Sequence, residues 1–167
     1  MKRIAILCAL AALTACGSQS GGGNSTAASV AHVGSEAPAF DEKTVGGGDL
    51  SMASLRGKPV YLNFFASWCP PCNEEAPDVR AVAQEFKPRG LQVVGVDVLE
   101  DEQKAKKFVD EHDLNYPAVV DTGALRDAYN INGMPVHVFI NKDGIVKKIE
   151  IGELSKAEMI ADVKTVL

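Results

Sequence analysis

The segment Trp68-Cys69-Pro70-Pro71-Cys72 constrains this chain more than any other. It follows an apolar, strand-like run from Val60 to Ala66, and a helix-like segment begins at Cys72. Two thiols at a strand-to-helix turn can close a small disulfide ring. The unpaired N–H groups and the dipole of the helix start stabilise a thiolate there. A free cysteine has a pKa of about 8.5, which falls to roughly 3.5–7.5 in such settings. The thiolate is the attacking species in thiol–disulfide exchange. The competing readings are a structural disulfide or half of a zinc site. Zinc requires a second ligand pair, and the sequence holds no other Cys-x-x-Cys and no closely spaced His pair. The pair therefore reads as redox-active, with no metal and no cofactor beyond the two cysteines.

The chain has 167 residues, 46% of them hydrophobic, and a formal net charge of -5. This suits one globular domain with its own core. The mild acidity argues against a nucleic-acid partner. The first residues read as a signal peptide: Met1-Lys2-Arg3 is positive, and Ile4 to Leu13 is an apolar stretch too short to span a bilayer. Leu13-Thr14-Ala15-Cys16 resembles a bacterial lipobox, which makes 1–15 the signal peptide and Cys16 the lipidated N-terminus. The alternative is an ordinary signal peptide cleaved nearby. Cysteine parity favours lipidation, because Cys8 leaves with the signal and an exported chain would otherwise expose an odd thiol at Cys16. Residues 16–33 then form a tether rich in Gly, Ser, Ala and Asn. Such a tether has an end-to-end distance of roughly 20–25 Å. The folded domain is expected over 34–167, on the outer side of a membrane.

Along that domain, Val60–Ala66 and Leu91–Val98 read as buried strands, and Thr44–Leu50 as a hairpin or loop. Helices are expected over Cys72 to about Lys87, Glu102–His112, Ala124–Tyr129 and Ser155–Leu167. Pro77 is a kink site in the first of them. Further strands fall at Ala118–Val120, Val136–Ile140 and Ile145–Ile151, the last two joined by the turn Asn141-Lys142-Asp143-Gly144. The order is α/β with a mixed sheet.

From Gly34 to Leu167 the chain resembles the TlpA/ResA-like thiol–disulfide oxidoreductases, tethered members of the thioredoxin superfamily. The resemblance rests on Phe64 to Cys72, on Glu75 and Pro77, on Val93 to Glu100, and on Gly133-Met134-Pro135 before Phe139-Ile140 and the Lys142-Asp143-Gly144 turn. It implies a thioredoxin-like fold, a central mixed sheet flanked by helices, with an N-terminal extension. It also implies that Cys69 is the exposed nucleophile, Cys72 the resolving thiol and Pro135 a cis-proline facing the pair. Trp68 and the Met134 backbone would then receive the substrate chain. Simple core packing is the competing account of Trp68, and an ordinary trans-proline that of Pro135.

Asn63 departs from thioredoxins, which carry a buried aspartate at that strand position. The resemblance implies that Glu100, matching a glutamate near the pair, helps deprotonate Cys72 instead. The competing reading makes Glu100 part of a solvated acidic run, Leu99-Glu100-Asp101-Glu102. His137 shares a strand face with Pro135. It reads either as a satisfied core histidine or as a pH sensor beside the cysteines.

The expected partners are protein disulfides, apocytochrome c among them, a membrane thiol-reductant protein, and the membrane itself through the lipid. Two other functions fit the fold. A peroxiredoxin-like peroxidase wants Thr or Ser three residues before its reactive cysteine, where Ala66 stands. A copper chaperone favours Cys-x-x-x-Cys, one residue longer, although His137 and Met134 suit copper.

Overall fold

The computed structural model describes residues 30–167. The expected signal peptide, Cys16 and the expected tether up to residue 29 lie outside the described residues. Ordered packing starts earlier than Gly34: Ala31 is buried, and its N–H donates to the Ala128 carbonyl at 2.8 Å.

The sheet is built on β3 (Val60–Phe65), every residue of which is buried. It pairs in parallel with β4 (Gln92–Val98) and antiparallel with β6 (Val136–Ile140). Beyond these lie β5 (Ala118–Asp121), parallel to β4, and β7 (Val146–Ile151), antiparallel to β6. The five-strand order is β5-β4-β3-β6-β7. Parallel neighbours need crossovers. Here α1 (Pro70–Phe86) connects β3 to β4, and α2 (Glu102–Glu111) connects β4 to β5. A separate hairpin, β1 (Asp41–Lys43) and β2 (Asp49–Ser51), precedes the sheet. The short α3 (Ala124–Ala128) follows β5, and α4 (Lys156–Val163) closes the domain. This is the mixed, helix-flanked α/β fold expected from the element order.

Strand alternation divides the core. Leu62, Phe64, Val94, Val96 and Val138 pack with Phe40, Leu55 and Leu125 on one face. Tyr61, Val93 and Phe139 meet α1 and α4 on the other, through Val79, Val82, Met159 and Val163. The same alternation puts Asn63, Asp97 and His137 on the second face. All three are buried.

The helix after the cysteine pair starts at Pro70, not at Cys72. Pro70 and Pro71 occupy its first two positions, where a missing N–H costs nothing and the fixed φ suits the helix. Cys69 is thereby the N-cap, and the Cys72 N–H points at Cys69 Sγ, 3.3 Å away. The helix runs on through Pro77. At the other end of the domain, Ser155 and Glu158 form the expected capping box. The α4 helix stops at Val163, short of the expected Leu167.

Candidate active site

Cys69 and Cys72 form a disulfide at the mouth of α1. The two sulfurs are not equivalent. Cys69 lines a groove of about 460 Å³ together with Trp68, Leu99, Ile131, Met134 and Arg126; Cys72 does not. The exposed nucleophile implied for Cys69 is less exposed than that description. At 3% exposure its sulfur lies in the groove floor, drawn into the disulfide and packed with Phe65, Ala66 and Ala76. Trp68, by contrast, is 64% exposed, which rules out core packing for it. The Met134–Pro135 bond is cis, and Met134 packs against the cluster that holds both cysteines.

The loop that presents Cys69 is braced on two sides. Glu100 accepts from the Ser67 N–H at 2.5 Å and from the Ser67 hydroxyl at 2.8 Å. It is therefore no member of a merely solvated run: the carboxylate ties the end of β4 to the turn after β3. On the other side Asn73 Nδ2 donates to the carbonyls of Ser67 and Cys69, at 3.0 and 2.7 Å. This fixes the amide orientation, so Asn73 Oδ1 accepts from His112 Nε2 at 2.9 Å. His112 and Asn73, to which the sequence assigned no role, thus hold the back of the cysteine loop.

Three buried groups lie behind the disulfide, of which sequence reasoning gave a role to His137 alone. Glu75, one turn after Cys72 on the same helix face, is 2% exposed. Its Oε1 accepts from Asn63 Nδ2 at 3.1 Å, and its Oε2 from the Leu154 N–H at 3.3 Å. Asn63, standing where a thioredoxin has its acid, therefore serves as a donor to an acid supplied by the helix. His137 is fully buried with both ring nitrogens engaged, which matches the satisfied core histidine.

Asp97 is the third. It is fully buried, and neither carboxyl oxygen has a hydrogen-bond partner among the described residues. Burial first, then the nearby Glu100 charge, pushes its carboxyl up to about 8. The folded state then holds a proton that the unfolded chain has already released between about pH 4 and pH 8. Stability must fall as pH rises through that window. Asp97→Asn removes the penalty. The variant is expected to match wild type near pH 4 and to exceed it by about 1–3 kcal/mol at pH 8 in denaturant unfolding. A pH-independent difference contradicts this origin. The sequence did carry a signal for Asp97, the one charge in the apolar run Leu91–Val98.

Leu99 had no such signal. Its φ of 61° is left-handed, and its side chain is 60% exposed at the groove. A bulky residue in that region is unusual and costs on the order of 1–3 kcal/mol. Leu99 and Trp68 give the groove apolar walls.

A disulfide at a helix N-cap, a cis-proline beside it and a mixed sheet beneath are joined here in one site. Residues 33–149 match the family model described as the AhpC/TSA family. This chain belongs to that family. The chain is 35% identical over 130 residues to the thiol-disulfide oxidoreductase ResA of Bacillus subtilis, covering 77% of this chain and 72% of that protein. It is 34% identical over 128 residues to the ResA of Bacillus cereus, with 76% and 74% covered. Among solved structures, a thiol:disulfide interchange protein of the thioredoxin family from Chlorobium tepidum superposes with a TM-score of 0.75. It shares 35% identity, with 81% of this chain and 97% of that one covered. The oxidoreductase is thus an enzyme of thiol–disulfide exchange on a thioredoxin-like fold. No cluster of three or more metal-ligating side chains occurs among its described residues.

Proposed function

We propose that the oxidoreductase reduces protein disulfides outside the cytoplasm, through Cys69 and Cys72, while tethered to a membrane. The observation that carries this is the asymmetry of the pair: Cys69 faces an apolar groove at a helix N-cap, and Cys72 lies behind it. In the reduced protein the Cys69 thiolate attacks a partner disulfide. One partner sulfur leaves as thiolate, and a mixed disulfide forms. Cys72 then gives up its proton, attacks Cys69 Sγ, and expels the second partner sulfur as thiolate. Two electrons pass to the partner, and the Cys69–Cys72 disulfide remains. Glu75 is the proton acceptor in this reading, being buried and one helical turn from Cys72. Glu100 supports the step by holding the Cys69 loop through Ser67. The partner chain lies in extended form against Met134 and Pro135, with Trp68 and Leu99 receiving its apolar side chains.

A membrane thiol-reductant protein resets the disulfide, and apocytochrome c is a fitting substrate because haem attachment needs its cysteines reduced. The test is steady-state turnover, with a small dithiol supplied as reductant, of a disulfide-bonded peptide and of hydrogen peroxide. Turnover of the peptide, with peroxide consumed at only the uncatalysed rate, is the expected result. Faster turnover with peroxide overturns the reading in favour of a peroxidase. Neither alternative function gains support at the site. Ala66 has no hydroxyl to bind a peroxide, and both His137 nitrogens are engaged away from copper.

The membrane tether rests on Cys16. Cys16→Ser is expected to move the protein from the membrane to the soluble fraction or to leave the precursor unprocessed. Unchanged fractionation and an unchanged mature mass count against a lipid anchor.

A further inference from the structure

Behind the disulfide, three side chains from three elements stand in line: a hydrogen bond joins Tyr61 to His137, and His137 lies at ion-pair distance from Glu75. His137 Nε2 faces two acceptors, the Gly152 carbonyl at 3.1 Å and Glu75 Oε2 at 3.3 Å. Neither can donate when Glu75 is a carboxylate, so Nε2 carries the hydrogen. The other ring nitrogen, Nδ1, lies 2.8 Å from the Tyr61 hydroxyl. Tyr61 is fully buried, and burial, then the Glu75 charge, holds its phenol well above the usual tyrosine range. It stays a phenol and donates to Nδ1. The direction is therefore Tyr61 O–H to His137 Nδ1, with the His137 Nε2–H bonded to the Gly152 carbonyl and standing 3.3 Å from Glu75 Oε2. Tyr61 is itself clamped, stacked on Phe139 with ring centroids 4.6 Å apart.

This line completes the cradle of Glu75. Asn63 donates to Oε1 and the Leu154 N–H to Oε2, and His137 Nε2 stands 3.3 Å from Oε2. Only His137 among these reaches the acid from the strand that begins just after the cis-proline. Nothing in thiol–disulfide exchange itself requires a histidine here. A satisfied core residue would equally accept any partner, whereas this ring is oriented by a donor on one side and sets its own N–H beside an acid.

Resting on the reading of Glu75 as proton acceptor, we propose that Tyr61 and His137 are positioning residues for the exchange reaction, fixing the orientation of the Glu75 carboxylate through one ring tautomer. Tyr61 selects the tautomer, and His137 aims the acid. Neither touches the reacting sulfurs.

The experiment compares exchange rates with a disulfide-bonded peptide for His137→Leu and His137→Gln, each in wild-type and Glu75→Gln backgrounds. A hydrogen bond to a charged group sets the scale, so His137→Leu is expected to slow exchange about tenfold. His137→Gln keeps a side-chain N–H and is expected to recover most of that loss. In the Glu75→Gln background His137→Leu is expected to add less than about twofold, because the two residues act as one unit. If His137→Leu is as fast as wild type while Glu75→Gln is slow, the inference fails and the Glu75 reading stands. If Glu75→Gln is itself as fast as wild type, that reading falls and takes the inference with it. Equal slowing by His137→Leu in both backgrounds assigns His137 to packing alone and overturns the proposal. Nitrogen NMR of the histidine rings needs no variant to fold: a hydrogen on Nε2 of His137 is expected, with Nδ1 bare. A hydrogen on Nδ1 with Nε2 bare overturns it. Tyr61→Phe, which removes one oxygen, is expected to slow exchange severalfold; a rate equal to wild type removes Tyr61 from the proposal.

Discussion

A Cys72→Ser protein is expected to accumulate covalent adducts with its partners, while Cys69→Ser forms none and loses disulfide-reductase activity altogether. The argument is the placement of the two sulfurs. Cys69 lines the groove, and Cys72 does not. A partner disulfide entering the groove meets Cys69 first. The Cys72 N–H already points at Cys69 Sγ, and as N-cap the sulfur faces the positive end of α1. Those features favour its thiolate, so attack proceeds without Cys72. Release does not, because only a second thiol can expel the partner from Cys69. Serine in place of Cys72 has no sulfur to do so. Non-reducing electrophoresis and intact-mass measurement of the adducts read the outcome. Adducts on Cys69→Ser but not on Cys72→Ser would reverse the assignment of attack and resolution.

Glu75→Gln is expected to give the larger loss of the two glutamate substitutions. Removing a general acid–base group costs a factor of about 10²–10⁴. Glu75 is the acid whose burial and helical phase put it behind Cys72, and its two donors and the nearby His137 ring are arranged to hold a carboxylate. Glutamine presents an amide to some of those donors and cannot take a proton. Glu100→Gln acts differently. Both Glu100 oxygens are occupied by Ser67, so its substitution loosens the Cys69 loop and is expected to slow exchange by about tenfold or less. Rates of peptide-disulfide reduction, with thermal unfolding to confirm folding, decide between them. If Glu100→Gln is the slower variant, proton acceptance belongs to Glu100, as the family resemblance implied, and Glu75 is structural.

The strands and helices were legible because each announces itself locally. Val60 to Phe65 is an unbroken apolar run apart from Asn63, as a strand covered on both faces must be. Ser155 and Glu158 spell their own capping box. Two elements are written less plainly. Pro70 and Pro71 fit the first helical positions better than any loop, so α1 starts at Pro70 rather than at the expected Cys72. Gly46, Gly47 and Gly48 suit either a turn or a loop, and only the pairing of β1 with β2 makes the segment a hairpin.

The sequence by itself determined the cysteine pair, the strand before it and the helix after it, since these follow from spacing and residue type along a short stretch of chain, whereas the proline across from the pair was implied by the family resemblance. Only the tertiary structure decided what surrounds the pair. Glu75, Tyr61 and His137 lie on α1, β3 and β6, and the bonds between them span up to 76 positions of sequence. Whether Glu100 faces water or Ser67, and whether Asp97 has a partner, depends on how β4 meets the turn after β3. The physical reason is that a buried polar group is defined by the donors and acceptors brought to it. Backbone propensity and apolar periodicity record which face a residue takes, but they carry no information about which atoms of a distant element stand opposite.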